Sequence, residues 1–358
     1  MKKWLFGILS IVMLVAGAMF VAPEVVSYGE KENIASVPET KEEPNTEITE
    51  YTYKPFASYF TDFAIPTTLK ESTITGKGSE DDPYIINSTE DFIFLHLFDV
   101  LWQKHLKLEC DIVLNDESFD RDGNAIGGDG VVYSWEPIPY LRIAGIDGNN
   151  HTIKGAYFND PTRISVGLFR YGFTYCRDLT IENLYFSGDY AIATITAEGV
   201  TNLKNVHTKN GYIVGNGRIS GMCINSTELR NVTNGFEIIQ RKGATNDYGV
   251  YGLVYGGSVK AYNCKNYGDI YTEKIQYTGG FFSYIASATI ENCENYGDIY
   301  INSNYTGAGG IAGYTQNSII KNCKNSGVQL VPLMLKFLGM YLREIIGCVL
   351  TDASIQLL

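Results

Sequence analysis

The side chains best suited to chemistry in this chain are carboxylates that return at a fixed interval. Asp269 and Asp298 occupy equivalent places in two copies of Tyr-Gly-Asp-Ile-Tyr. Two carboxylates on one exposed face can hydrolyse a polysaccharide, one as the acid and the other as base or nucleophile. Repetition weighs against that role, because a catalytic residue occurs once whereas a repeated residue serves the repeat. Both are read as solvated structural positions. Asp120-Arg-Asp122-Gly-Asn124 alternates oxygen ligands as a calcium loop does. Ala125 stands at position six and no glutamate at position twelve, so a polar loop is expected.

The remaining reactive residues fit no catalytic pattern. His96, His105, His151 and His207 lack the His-Glu-x-x-His arrangement that puts two zinc ligands on one helical face. There is no Gly-x-Ser-x-Gly elbow and no phosphate-cradling Gly-x-x-x-x-Gly-Lys loop. Cys110, Cys176, Cys223 and Cys348 show no metal-ligand spacing. Cys264, Cys293 and Cys323 recur where earlier repeats carry Leu184, Val206 and Val232, which implies buried thiols acting as small apolar residues. No cofactor or metal is expected, and no residue is assigned a catalytic role. Tyrosine is abundant, 26 in all, and recurs at repeat positions. Tyr267, Tyr271, Tyr296 and Tyr300 are the candidate ligand-binding residues, since exposed rings offer flat apolar area with a polar edge. The alternative is that they stack along the repeat and cover its core.

The elements that must position these residues are repeats. Asn183-Leu184, Asn205-Val206, Asn231-Val232, Asn263-Cys264, Asn292-Cys293 and Asn322-Cys323 return every 22 to 32 residues. Thr152–Phe158 matches Thr180–Phe186 at an offset of 28, placing Gly155 at the equivalent position and adding a seventh turn. Each unit holds two apolar stretches of strand length separated by Gly and Asn, and none long enough for a helix. Units this small must stack on their neighbours to bury an apolar face, and a parallel β-helix does this. The expectation is an amide ladder of Asn183, Asn205, Asn231, Asn263, Asn292 and Asn322 at one corner, with glycine supplying positive φ at the others. Ahead of the coil, Ser88 is an N-cap for a helix reaching about Gln103, with Glu90 and Asp91 in its first turn. That helix caps the first turn against end-to-end pairing, and His96 and His105 are cap or surface residues.

These blocks resemble a known family. Gly309-Gly-Ile-Ala-Gly-Tyr314 and Ile-x-Asn-Cys-x-Asn-x-Gly are similar to the GLUG-motif repeats of secreted bacterial surface proteins. So are Gly76–Ile86 with Ser88–Asp91, Leu108–Leu114 and Asp147–Ile153, in the family's order, over about residues 74 to 327. The resemblance implies an all-β, right-handed parallel β-helix of the pectin-lyase type with a short N-terminal capping helix. Members include adhesin-like proteins and the non-catalytic repeats of some immunoglobulin A metallopeptidases, so it does not carry an activity.

The outer segments suggest export. Residues 1–27 read as a signal peptide, with Met1-Lys-Lys3 before an apolar run and Ala16-Gly17-Ala18 as the cleavage site; an uncleaved anchor is the alternative. Residues 28–55 form an acidic linker, 56–107 an opening segment with the capping helix, and 108–327 the β-helix. Residues 328–358 form an apolar tail, either a C-terminal cap or the product of a truncated reading frame. A net charge of −12 without a basic stripe excludes nucleic acid as a partner. The reading is a secreted or cell-surface, non-enzymatic β-helix with glycans or proteins as partners and membrane contact only through the leader. The alternative is an extracellular carbohydrate-active lyase or glycoside hydrolase.

Overall fold

The computed structural model describes residues 50–97, 103–138, 143–242, 249–273, 277–302 and 307–330. The leader, most of the linker and the tail from 331 lie outside the described residues, as does Cys348. The chain is a parallel β-helix of about six turns, and apart from one hairpin its strand pairs are parallel. Strands Gly145–Lys154, Tyr175–Ser187 and Asn202–Gly215 are long and pair in sequence. Later rungs break into shorter strands such as Lys260–Tyr262, Lys265–Asn266 and Ile270–Thr272.

Inward-facing residues form columns in register. One runs Leu106, Ile146, Cys176, Leu203, Leu229, Ala261 and Ile290, all buried. A second runs Phe158, Phe186, Ile213, Ile238, Ile270 and Ile299. Near-continuous apolar stacks of this kind are what a parallel sheet covered on its inner face requires.

A third column changes chemistry along the axis. It begins as Ile112, Ile153 and Ile181, passes through Thr208, and continues as Asn234, Asn266, Asn295 and Asn325. Asn234, Asn266 and Asn295 are at most 1% exposed. Each Nδ2 donates to the Oδ1 of the next asparagine, at 2.8, 2.8 and 2.7 Å. Its second hydrogen goes to the carbonyl two residues onward, on Phe236, Gly268 and Gly297, each at 2.9 Å. The amides are thereby satisfied in an interior where an unpaired one costs several kcal/mol.

The expected corner asparagines stand apart from this inner row, in register but with one member exchanged and with amide hydrogen bonds at some of their steps. Asn205, Asn231, Asn263, Asn292 and Asn322 are in register with φ between 52° and 55°, the left-handed region that asparagine tolerates. Asn231 donates to Asn205 at 3.0 Å and Asn322 to Asn292 at 3.3 Å. Asn183 does not belong to it. Asp178 holds that place, accepting from Asn205 Nδ2 at 2.6 Å, while Asn183 shares a second left-handed corner with Gly155 and Asn210. Leu179 rather than Leu184 accordingly precedes Val206, Val232, Cys264, Cys293 and Cys323 in their column. The six described cysteines are free thiols.

The opening segment caps the coil. Ser88 Oγ accepts from Asp91 N at 3.1 Å, and the helix runs Thr89–Phe94, shorter than its apolar spacing suggested. Its end tightens because Leu95, His96 and Leu97 donate to carbonyls three residues back. Phe92 stacks on Trp135 with centroids 5.5 Å apart, sealing the core above the first rung. A hairpin of Ser118–Phe119 and Ala125–Ile126, the one antiparallel pair of strands among the described residues, lies over the outside of Tyr157, Tyr185 and Val214.

Replacing Asn295 by Ala strands the Nδ2 of Asn266, the Oδ1 of Asn325 and the carbonyl of Gly297. Urea unfolding of the full chain should show a loss of about 3 kcal/mol. Asn292→Ala, at the exposed corner, should cost about 1 kcal/mol, chiefly through its left-handed backbone. Equal losses would contradict the inner ladder's role.

Candidate ligand-binding face

The repeated carboxylates serve the rungs. Asp269 Oδ1 accepts the backbone N–H of Asp298 at 2.7 Å, and Asp298 Oδ1 accepts that of Val328 at 2.7 Å. Each thus ties its rung to the next. Glu237 precedes them in the same column, since Ile238 pairs with Ile270. Burial, reinforced by the charge of Asp269 and opposed by Arg121, pushes the Glu237 carboxyl above its usual range.

The four candidate tyrosines come together as two stacks. Tyr271 and Tyr300 have centroids 4.5 Å apart and planes 3° from parallel; for Tyr267 and Tyr296 the values are 4.8 Å and 7°. At these separations parallel rings must overlap, so each covers its neighbour's face and presents edge and hydroxyl outward. Tyr284 and Tyr314 form a third such stack on another sheet. Stacking is therefore a property of the repeat. Tyr267 and Tyr296 remain 50% and 37% exposed, the most accessible of the four. Tyr296 donates to Glu294, and that bond leads burial in raising its phenol to about 12. Burial leads in raising Tyr271 to about 12.

Sequence reasoning missed Arg121. The hairpin carries its guanidinium to 3.7 Å from the Tyr271 ring centre, and its Nε lies 3.9 Å from Glu237 Oε2. The candidate calcium loop forms this hairpin's turn. Asp120 Oδ1 accepts from the N–H groups of Asp122 and Asn124, at 2.9 and 2.8 Å, and Oδ2 takes Asn124 Nδ2 at 2.9 Å. Those carboxylate oxygens are committed within the turn. Among the described residues no group of three or more His, Cys, Asp or Glu converges as a metal site.

The histidines are dispersed. His105 contacts the Tyr175 hydroxyl and His151 contacts Asp111, while His207 is half-buried with burial lowering its pKa. His96 sits inside the cap between Phe56 and Trp135, with Nε2 2.6 Å from the Glu136 carbonyl and Nδ1 3.1 Å from that of Ile93. Burial dominates these two contacts and pulls its pKa down to about 4.

Residues 304–330 match the sequence model of the GLUG motif. The chain carries a GLUG repeat. Its glycines are explained by space. A Cβ at Gly310 would fall 2.1 Å from Asn325 Cγ, and one at Gly280 would fall 2.1 Å from the Gly310 carbonyl oxygen and 2.5 Å from Asn295 Cγ. Neither lies among the positive-φ glycines, so at these two positions the expectation of glycine for φ is corrected, whereas Gly155, Gly199, Gly256 and Gly257 do hold positive φ. The GLUG glycine and the inner asparagine form one packing unit across the coil. A 173-residue stretch, 46% of this chain, is 27% identical to halomucin from Haloquadratum walsbyi and spans 2% of that protein's length. A Bacteroides ovatus crystal structure, provisionally described as an immunoglobulin A1 protease, superposes with a TM-score of 0.47 at 19% identity. That match covers 72% of this chain and 79% of the other.

Two outcomes follow. Gly280→Ala should lower stability by about 2 kcal/mol in urea unfolding, through overpacking against Asn295 and Gly310; a neutral result would contradict the packing unit. His96 binds its proton less tightly folded than unfolded, so its contribution is full above pH 6.5 and is lost as pH falls toward about 4. His96→Gln should remove about 3 kcal/mol of acid sensitivity in that window, read from unfolding free energies across pH.

Proposed function

We propose that the chain is a secreted or cell-surface repeat module that binds a glycan or protein partner on its tyrosine face without turning it over. One observation carries this reading: Tyr267 and Tyr296 stand exposed, stacked and in step with the rungs. A surface that repeats at strand spacing offers a polymeric partner the same contact more than once, which raises avidity without new chemistry. The carboxylates beside it, Asp269 and Asp298, are engaged in joining rungs, which favours display over catalysis. The leader-like residues 1–27 and the GLUG repeat support an extracellular or surface location.

The test is a glycan array probed with the full chain, with release of reducing or unsaturated ends assayed on the same polysaccharides. Binding without product is expected, weakened about tenfold in Tyr267→Ala/Tyr296→Ala, in keeping with about 0.5–1.5 kcal/mol per aromatic contact. Product release abolished by a single carboxylate substitution would overturn the proposal and establish the carbohydrate-active alternative.

A further inference from the structure

One concentration of charge lies apart from the tyrosine face. After strand Tyr157–Asn159 the chain turns into strands Ser165–Val166 and Phe169–Tyr171. There it forms a shallow groove of about 420 Å³ lined by Asp160, Thr162, Arg163, Ile164, Ser165 and Arg170. That volume lies within the roughly 300–1,000 Å³ typical of small-ligand sites.

Both arginines are held by one edge. Arg163 Nη2 bonds Glu136 Oε1, while Arg170 Nε lies 3.2 Å from Glu198 Oε1, which also accepts from Ser165 Oγ at 2.7 Å. Their side chains are still 39% and 43% exposed, which leaves guanidinium N–H groups available at the groove. Asp160 Oδ1 accepts from Thr162 N and Oγ1 at 2.9 and 2.7 Å. The fold does not require this arrangement. On the next rung Ala197, buried, takes the position of Arg170, because Phe169 pairs with Thr196 and Tyr171 with Glu198. A residue that serves stacking recurs in its column; Arg170 does not.

The pattern of donors and acceptors selects a ligand class. Each arginine presents donors beside a carboxylate acceptor, and a hydroxyl can accept from one while donating to the other. Vicinal hydroxyls of a sugar meet that requirement twice over. Counting Glu136, Glu198 and Asp160 against Arg163 and Arg170 gives three negative charges to two positive, a formal excess of −1 that disfavours an anionic sugar. Ile164, 64% exposed, supplies an apolar rim for the C–H face of a sugar ring. We propose that this groove binds a neutral oligosaccharide through paired Arg–Glu contacts, separately from the tyrosine face.

The experiment is isothermal titration of the full chain with cellohexaose, xylohexaose, mannohexaose and maltohexaose, and with hexagalacturonate as the anionic arm. At least one neutral hexaose should bind. Arg170→Lys, which keeps the charge but loses the planar fork, and Glu198→Gln should each weaken it about tenfold. Loss of hexaose binding in Tyr267→Ala/Tyr296→Ala together with full retention in both groove variants would assign the sugar to the tyrosine face and overturn the groove, which separates failure here from failure of that face. Saturation transfer from the Ile164 methyl groups to the bound sugar in the unsubstituted chain gives a readout independent of the variants' folding. Binding of hexagalacturonate alone, no binding of any neutral hexaose, unaltered affinity in both groove variants, or no transfer from Ile164 would each overturn the proposal.

Discussion

The coil depends on a row of buried side-chain amides. Asn234, Asn266, Asn295 and Asn325 each sit at the same point of successive rungs, linked amide to amide along the axis. An apolar column is indifferent to small slips, whereas an amide displaced from its partners inside the coil loses its hydrogen bonds to protein without regaining water. The row therefore fixes register where the apolar columns only favour burial. It also shapes the corner: each amide closes onto the carbonyl two residues later, and only glycine fits opposite it at positions such as Gly252, Gly280 and Gly310. In the first turns isoleucine fills the column, and there the strands run long and unbroken.

With register fixed from inside, the outer surface is free to carry other chemistry. Stacked tyrosines, rung-tying aspartates and the hairpin all lie on the outer side of the sheets. The coil is a stiff support, and what it presents depends on which outward columns repeat and which do not. Repeated columns suit extended partners. The charges around Arg163 and Arg170 come from a different rule, since the neighbour of Arg170 in register is Ala197 and not a copy of it.

The sequence disclosed the fold because a period near 28 residues with strand-length apolar runs admits few architectures. The corner asparagines were legible through their recurrence, but Asn183 was misplaced because Asn183-Leu184 looks the same as Asn205-Val206 and only strand register separates them. The buried ladder lay in plain view as the second asparagine of Asn-Cys-x-Asn. Both asparagines recur equally, so spacing alone could not say which faces the interior. Glycine after Asn-Tyr and Asn-Ser was the available clue, since Gly268, Gly297 and Gly327 lie against the carbonyl of the preceding rung. The hairpin with Arg121 was not legible, because its two-residue strands carry no periodicity and its contact with Tyr271 spans 150 positions. The groove is lined from the single stretch Asp160 to Arg170, but the carboxylates that hold its arginines, Glu136 and Glu198, come from two other stretches, which no local motif can reveal.

The most direct test of this account is hydrogen exchange of the asparagine side-chain amides, followed by NMR on the full chain. The Nδ2 protons of Asn234, Asn266 and Asn295 should exchange as slowly as backbone amides of the central rungs, while those of Asn231 and Asn322 exchange far faster. Fast exchange at the inner positions, comparable to that at the outer corner, would mean that the buried ladder does not hold the coil.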